Sequence, residues 1–174
     1  MELKQYIREI PNFPKEGISF KDVTTLIKEK DVFKYVIDKI AQNLKDKKID
    51  YIVGPEARGF IVGAPVAYAI GAGFVPIRKK GKLPGQTLSK TYQLEYGEDT
   101  IEIHSDAIPK GSRVAIVDDL IATGGTVNAI IDIIESLGSE VVSLQFIIEL
   151  TELNTSENIK KYDMGVLVQY DDEE

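Results

Sequence analysis

The sequence predicts an α/β protein built on an open, mainly parallel twisted sheet flanked by helices. Apolar runs of strand length alternate with segments of helical periodicity, the order that a parallel sheet with right-handed crossovers requires. The run Val114-Ala115-Ile116-Val117 is continuously apolar, as in a strand covered on both faces. That run also carries Asp118 and Asp119 to its carboxyl end, where open α/β sheets hold their ligands.

Taken in order, the segment from Asp31 to Lys45 puts Phe33, Val36, Ile37, Ile40 and Leu44 on one helical stripe, with Asp31 as its N-cap. Tyr51-Ile52-Val53 reads as a short buried strand, Gly59 to Ile70 as a helix, and Phe74 to Ile77 as the next strand. Gly71-Ala72-Gly73 supplies the helix C-cap between them. From about 79 to 108 the texture changes. Tyr92, Leu94 and Tyr96 alternate with polar residues, as do Ile101 and Ile103, which predicts a flexible antiparallel hairpin flap closed by Gly97-Glu98-Asp99. The strand–helix alternation then resumes with Arg113 to Val117, Gly125 to Leu137 ended by Gly138, and Val141 to Ile148. Val166 to Val168 follows after a short helical turn.

With 174 residues and no internal repeat or low-complexity linker, the chain is expected to form a single domain over 1–174. The absence of cysteine excludes disulfide scaffolds, thiolate metal sites and cysteine nucleophiles, and makes a cytoplasmic location the expectation. The start, Met1-Glu2-Leu3-Lys4-Gln5, has no signal-peptide pattern. Gly59 to Ile77 is uncharged and nearly as long as a membrane span, but four glycines and two prolines interrupt it, so a buried helix and strand are expected and no membrane partner. A formal net charge of −7 repels a phosphate backbone and argues against nucleic acid as a partner.

The thirteen residues from Val114 to Thr126 carry the most chemistry. After the two acids comes a loop of small residues, Ala122-Thr123-Gly124-Gly125-Thr126, running into a helix N-terminus. Glycines let backbone N–H groups approach a phosphate, threonine hydroxyls add donors, and the helix dipole favours an anion. The two acids repel phosphate. They suit sugar hydroxyls, or a divalent cation carried by a phosphate. Neither a G-x-x-x-x-G-K-[ST] loop nor a complete dinucleotide fingerprint is present.

This run resembles the 5-phosphoribosyl diphosphate (PRPP) signature of the type I phosphoribosyltransferases. The resemblance implies that Asp118 and Asp119 hold the ribose 2- and 3-hydroxyls, while Ala122, Thr123, Gly124, Gly125 and Thr126 cup the 5-phosphate. Four further stretches are similar to the adenine-using members of that family: Pro14 to Asp22, Gly54 to Phe60, Arg78 to Gly85 and Tyr92 to Gly97. The likeness covers nearly the whole chain from Ile10 to Tyr170. It implies the type I phosphoribosyltransferase fold, with an N-terminal hood over about 1–30.

By the same resemblance, Gly54 to Gly59 would hold pyrophosphate, with Glu56-Ala57 as the candidate non-proline cis peptide where relatives carry Asp-Ser. Arg58 would face both PRPP and adenine. Arg78, Lys79 and Lys82, within the basic run Arg78-Lys79-Lys80-Gly81-Lys82, would neutralise the diphosphate. Ser19, Phe20 and Lys21 would form the adenine site, Phe20 stacking on the purine and the backbone at 19 and 21 reading its edge. Glu95, on the flap, would be the catalytic acid–base group. His104, the only histidine, has no paired nucleophile and is read as an edge residue without a catalytic role.

The implied reaction is purine salvage: transfer of the 5-phosphoribosyl group from PRPP to adenine, giving AMP and pyrophosphate. Mg²⁺ would arrive with PRPP, near Asp118 and Asp119 but without a dedicated protein cage. A homodimer is implied, since part of the basic loop reaches the neighbouring subunit's site in the family. Two alternatives share the PRPP motif: a phosphoribosyltransferase for another purine, and a PRPP-sensing regulator of the same fold. The regulator would need a nucleic-acid-binding surface, and the sequence shows neither an added helix-turn-helix nor a broad basic face.

Overall fold

The computed structural model describes residues 1–94 and 97–171. Seven strands form one sheet in the order β5-β6-β4-β3-β7-β8-β9, where β3 is Tyr51–Pro55, β4 Gly73–Lys79, β5 Thr87–Leu94, β6 Gly97–His104, β7 Arg113–Ile121, β8 Glu140–Leu150 and β9 Asp163–Tyr170. The five strands from β4 to β9 in that order run parallel, and β6 and β5 continue the sheet antiparallel. Helices α2 (Lys30–Leu44) and α3 (Arg58–Ile70) and α4 (Gly125–Ser136) supply the flanking layers. The mainly parallel α/β architecture expected from the alternation is therefore the one observed.

Strand pleating sorts the side chains into two cores. Ile52, Ala115 and Val117 point to one face, where they meet Val36, Ile40 and Leu44 of α2 and Val62 and Val66 of α3. Val53, Val114 and Ile116 point to the other, against Val127, Ile130, Ile131 and Ile134 of α4. Covering both faces explains why these strands read as unbroken apolar runs.

Local details depart from the sequence reading in three places. Helix α2 begins at Lys30 after Glu29, and Asp31 sits in its first turn instead of capping it; a carboxylate there still faces the positive end of the helix dipole. The helix expected from Gly59 to Ile70 is present as α3, with Pro65 inside it and a left-handed cap at Gly71 (φ 75°). Val62, Val66 and Ala67, all buried around Pro65, outweigh the backbone hydrogen bond that proline forfeits. Glu98 and Asp99 are not turn residues: they pair with Gln93 and Tyr92 inside the β5–β6 ladder. Ser19 to Lys21 is not wholly a loop either, because Phe20–Asp22 forms a short strand, β2, paired antiparallel with β1 (Arg8–Ile10). Among the described residues no helix is long and apolar enough to cross a membrane.

The N-terminal hairpin is tied down by Asp22, which is buried. Its carboxylate accepts hydrogen bonds from the Thr24 amide (2.9 Å) and hydroxyl (2.6 Å), at the start of the short helix α1 (Thr24–Ile27), and from Arg8 Nη2 (2.5 Å). Those bonds, the Thr24 hydroxyl and the Arg8 guanidinium foremost, hold its pKa down at about 2. This fixes the register that presents Phe20.

Candidate active site

The carboxyl ends of β3 and β7, the neighbouring central strands, define the site. At the end of β3 the chain turns into α3 through Glu56-Ala57, whose peptide bond is cis, at the position the resemblance implies. The turn brings Gly59 so close to the neighbouring strands that a Cβ there would lie 2.8 Å from Pro55 Cδ and 3.0 Å from Asp118 Oδ1. A glycine at 59 is thus a condition for seating Asp118 beside the start of α3. Strand β7 extends four residues beyond the expected Val117, so Asp118 and Asp119 lie within its last turns of pleat and point to opposite sides.

Arg58 touches two other expected site residues. Its Nε donates to Asp119 Oδ2 at 2.5 Å, and its guanidinium lies 5.6 Å from the Phe20 ring centroid. The Asp119 side chain is only 8% exposed, and Arg58 supplies the charge that makes its burial tolerable. Asp118 has no such cation in contact. Burial first, and then the adjacent Asp119 carboxylate, push its pKa well above the ordinary carboxylate range. The Asp119 amide donates to Asp118 Oδ1 at 2.8 Å.

A cavity of about 390 Å³ opens from Asp118 across Ala122, Thr123, Gly124, Gly125 and Thr126. Gly124 adopts φ 85° at the N-terminus of the twelve-residue α4, a left-handed conformation that favours glycine. The loop therefore presents its small residues at the positive end of a helix dipole. Tyr92 from the flap strand closes one side, its hydroxyl 2.9 Å from Thr126 Oγ1.

A smaller cavity of about 110 Å³ shares Asp118 and Thr126 with the first and extends to Glu56, Arg78 and Lys79. The expected basic cluster is held here by two carboxylates, Glu56 beside Arg78 and Lys82, and Asp99 beside Lys79. Glu56 accepts from Lys82 Nζ (2.6 Å) and the Lys79 amide (2.6 Å), and Arg78 Nε stands 3.4 Å from it without a hydrogen bond. Burial raises the Glu56 pKa, but Lys82, Lys79 and Arg78 more than offset this and hold it below the usual carboxylate value. Lys79 Nζ is paired with Asp99 on β6.

The remaining expected residues are placed less uniformly. Phe20 meets Phe13 edge to face at 5.2 Å and faces Arg58 on its other side. The Ser19 and Lys21 side chains turn away from Arg58: Lys21 Nζ pairs with Glu9 (2.9 Å) and lies 4.3 Å from the Tyr170 ring centroid, and Ser19 Oγ donates to Glu9. Only their backbone could serve a ligand beside Phe20. Glu95 lies outside the described residues. His104 donates from Nε2 to the Pro84 carbonyl (2.8 Å) and lines neither cavity. Sequence reasoning missed Glu56 as the hub of the basic cluster and Tyr92 as a wall of the larger cavity. The signals were an acid inside the loop before Arg58 and a tyrosine in phase with the flap's apolar positions.

Comparison with known proteins agrees with this geometry. A sequence model of the phosphoribosyl transferase domain matches residues 23–172. The adenine phosphoribosyltransferase of Clostridium tetani is 62% identical over 171 residues, 98% of this chain and 99% of that one. Among solved structures, the adenine phosphoribosyltransferase of Thermoanaerobacter pseudethanolicus is 53% identical with a TM-score of 0.93, covering 97% of this chain and 98% of that one. The Saccharomyces cerevisiae enzyme, complexed with adenine and an imino-altritol bisphosphate, is 44% identical with a TM-score of 0.86, covering 95% and 94%.

Proposed function

The chain belongs to the phosphoribosyltransferase family, and from that premise we propose how its pocket works. It is a purine salvage enzyme that transfers the 5-phosphoribosyl group from PRPP to adenine, giving AMP and pyrophosphate. The observation that carries the site assignment is the pair of adjoining cavities sharing Asp118 and Thr126, one lined by the threonine-glycine loop and the other by Arg78 and Lys79. A molecule with a phosphate at one end and a diphosphate at the other, joined by a ribose, has that shape and charge.

In this reading Ala122 to Thr126 take the 5-phosphate, and Asp118 and Asp119 accept from the ribose hydroxyls. Arg78, Lys79 and Lys82 exchange their carboxylate partners for the leaving pyrophosphate. Arg58 and Phe20 flank the base, with the backbone at Ser19 and Lys21 reading its edge. As pyrophosphate departs, the anomeric carbon gains positive charge and N9 of adenine attacks. The protein's contribution is mainly electrostatic preorganisation. Glu95, next to the cavity-lining Leu94 in sequence, manages the purine proton.

Mg²⁺ suits the hard oxygen donors of Asp118, whose carboxylate has no cation in contact. The described residues include no cluster of three or more His, Cys, Asp or Glu able to cage a metal, so phosphate oxygens would complete its shell. When bound, it neutralises the leaving group. The enzyme works as one cytoplasmic domain and as a homodimer, and the exposed Ile61 and Tyr68 of α3, 42% and 91% exposed, supply apolar surface for a second copy.

Incubation with PRPP, Mg²⁺ and adenine, guanine, hypoxanthine or xanthine in turn tests the assignment. AMP and stoichiometric pyrophosphate from adenine are expected. No product from adenine would overturn it.

A further inference from the structure

The flap is anchored to the phosphate loop by a chain of side chains, of which Lys90, Asp132 and Tyr92 have no part in the reaction as described. Strand β5 lies along α4 at two points: Lys90 Nζ is 3.3 Å from Asp132, and the Tyr92 hydroxyl is 2.9 Å from Thr126 Oγ1. The Tyr92 ring also rests on the loop, since a Cβ on Gly125 would lie 3.5 Å from Tyr92 Cδ2. Directly across the ladder from Tyr92 is Asp99, whose Oδ2 is 3.5 Å from the phenol oxygen.

The proton arrangement follows from these contacts. A phenol has one proton to give. Asp99 is already served by Lys79 Nζ and by the Thr100 amide, and it stands 0.6 Å farther from the phenol than Thr126 does, 3.5 against 2.9 Å. Asp99 Oδ2 can also accept from the phenol at 3.5 Å, but the shorter contact is to Thr126 Oγ1 at 2.9 Å, and the phenol proton is taken to follow that shorter contact. That occupies one lone pair of the threonine and leaves the Thr126 proton to point into the cavity, where an anion would accept it.

We infer that Tyr92 is a positioning residue for the 5-phosphate: its hydroxyl fixes the Thr126 rotor in the donating direction and so couples the flap to the occupancy of the phosphate loop. This rests on the assignment of Ala122 to Thr126 as the phosphate cradle. Thr126 touches the ligand; Tyr92 acts through it.

The test is calorimetric titration of ribose 5-phosphate into the full-length wild-type protein and into Tyr92→Phe, Thr126→Val and the double variant. Thermal melting verifies that each is folded. Thr126→Val should weaken binding. Tyr92→Phe keeps the ring and removes only the hydroxyl, and should weaken binding about 3- to 10-fold, the value of one neutral hydrogen bond. The double variant should be no weaker than Thr126→Val alone. Thr126→Ser, which retains a hydroxyl, should restore sensitivity to Tyr92→Phe. Additive losses would overturn the inference, because Tyr92 would then reach the anion by itself. Tighter binding in Tyr92→Phe would also overturn it, since the threonine proton would be shown to run toward the phenol. If Thr126→Val weakens binding but Tyr92→Phe does not, the cradle stands and Tyr92's role falls. If neither changes affinity, the cradle assignment itself fails.

Discussion

Replacing Asp22 by Asn imitates protonation of the carboxylate that ties the N-terminal hairpin to α1. The residue is 6% exposed and accepts from the Thr24 hydroxyl and amide and from Arg8, and its pKa falls from 3.8 to about 2. A shift of that size corresponds to about 2 kcal/mol favouring the ionised form in the folded state, at 1.36 kcal/mol per unit. Because the folded pKa is depressed, the contribution is fully present well above pH 3.8 and is lost as pH falls toward 2. Asp22→Asn should therefore be about 2 kcal/mol less stable at pH 7, melting about 4–8 °C lower for a chain of this size. About half of that deficit should have disappeared at pH 3. Urea unfolding of both proteins at pH 7, 5 and 3, followed by circular dichroism, measures the difference. A deficit that does not shrink between pH 5 and pH 3 would refute the electrostatic account and leave only lost packing. Since the same contacts set the register of Phe20, the variant should also raise the KM for adenine more than that for PRPP.

Asp118→Asn should separate stability from function. Burial and Asp119 raise the Asp118 pKa, so ionising it opposes folding as pH rises above the ordinary carboxylate value; the Asn variant should be more stable than wild type at pH 7, by an amount that vanishes in acid. Its KM for PRPP should nevertheless rise about 10-fold or more, for loss of a charged hydrogen-bond acceptor, and an unchanged KM with unchanged kcat would defeat the ribose assignment. Gly59→Ala forces a methyl to 2.8 Å from the Pro55 ring and 3.0 Å from Asp118 Oδ1; overpacking of this kind costs ~1–3 kcal/mol in urea unfolding, with a parallel loss of PRPP affinity. Wild-type stability in that variant would show that the α3 start has room to move. Glu95→Gln should lower kcat ~10²–10⁴-fold with PRPP affinity little changed, as removal of a general acid–base does, and near-normal turnover would end that role.

Much of the scaffold was legible because its physics is local or periodic. The unbroken apolar run from Val114 to Val117 announces burial on both faces, and the two cores bear this out. Gly71 marks the end of α3 because a left-handed cap favours glycine. The small-residue turn from Ala122 to Thr126 into α4 could be read since its glycines, hydroxyls and helix start are contiguous in sequence. What could not be read depends on contacts between distant segments. Nothing local tells that Glu56, 22 to 26 residues before its partners, gathers Arg78, Lys79 and Lys82. The pairing of Asp99 with Tyr92 depends on hairpin register, which the turn signal Gly97-Glu98-Asp99 does not give.

The charge balance of the molecule follows from the same contacts. A net charge of −7 opposes a ligand as anionic as PRPP, and the tail Asp171-Asp172-Glu173-Glu174 accounts for four of the excess charges. The more important point is local. Arg78, Lys79 and Lys82 would repel one another if they converged on an empty cavity; Glu56 and Asp99 hold them there by partial neutralisation. Under the proposed assignment, each carboxylate brings one charge, whereas a pyrophosphate group would bring about three and offer more acceptor oxygens, so the exchange would favour the ligand without any large rearrangement of the cations. The counter-ions thus keep the cluster assembled in the unliganded protein, and the overall negative charge is compatible with a site that selects a small polyanion by geometry.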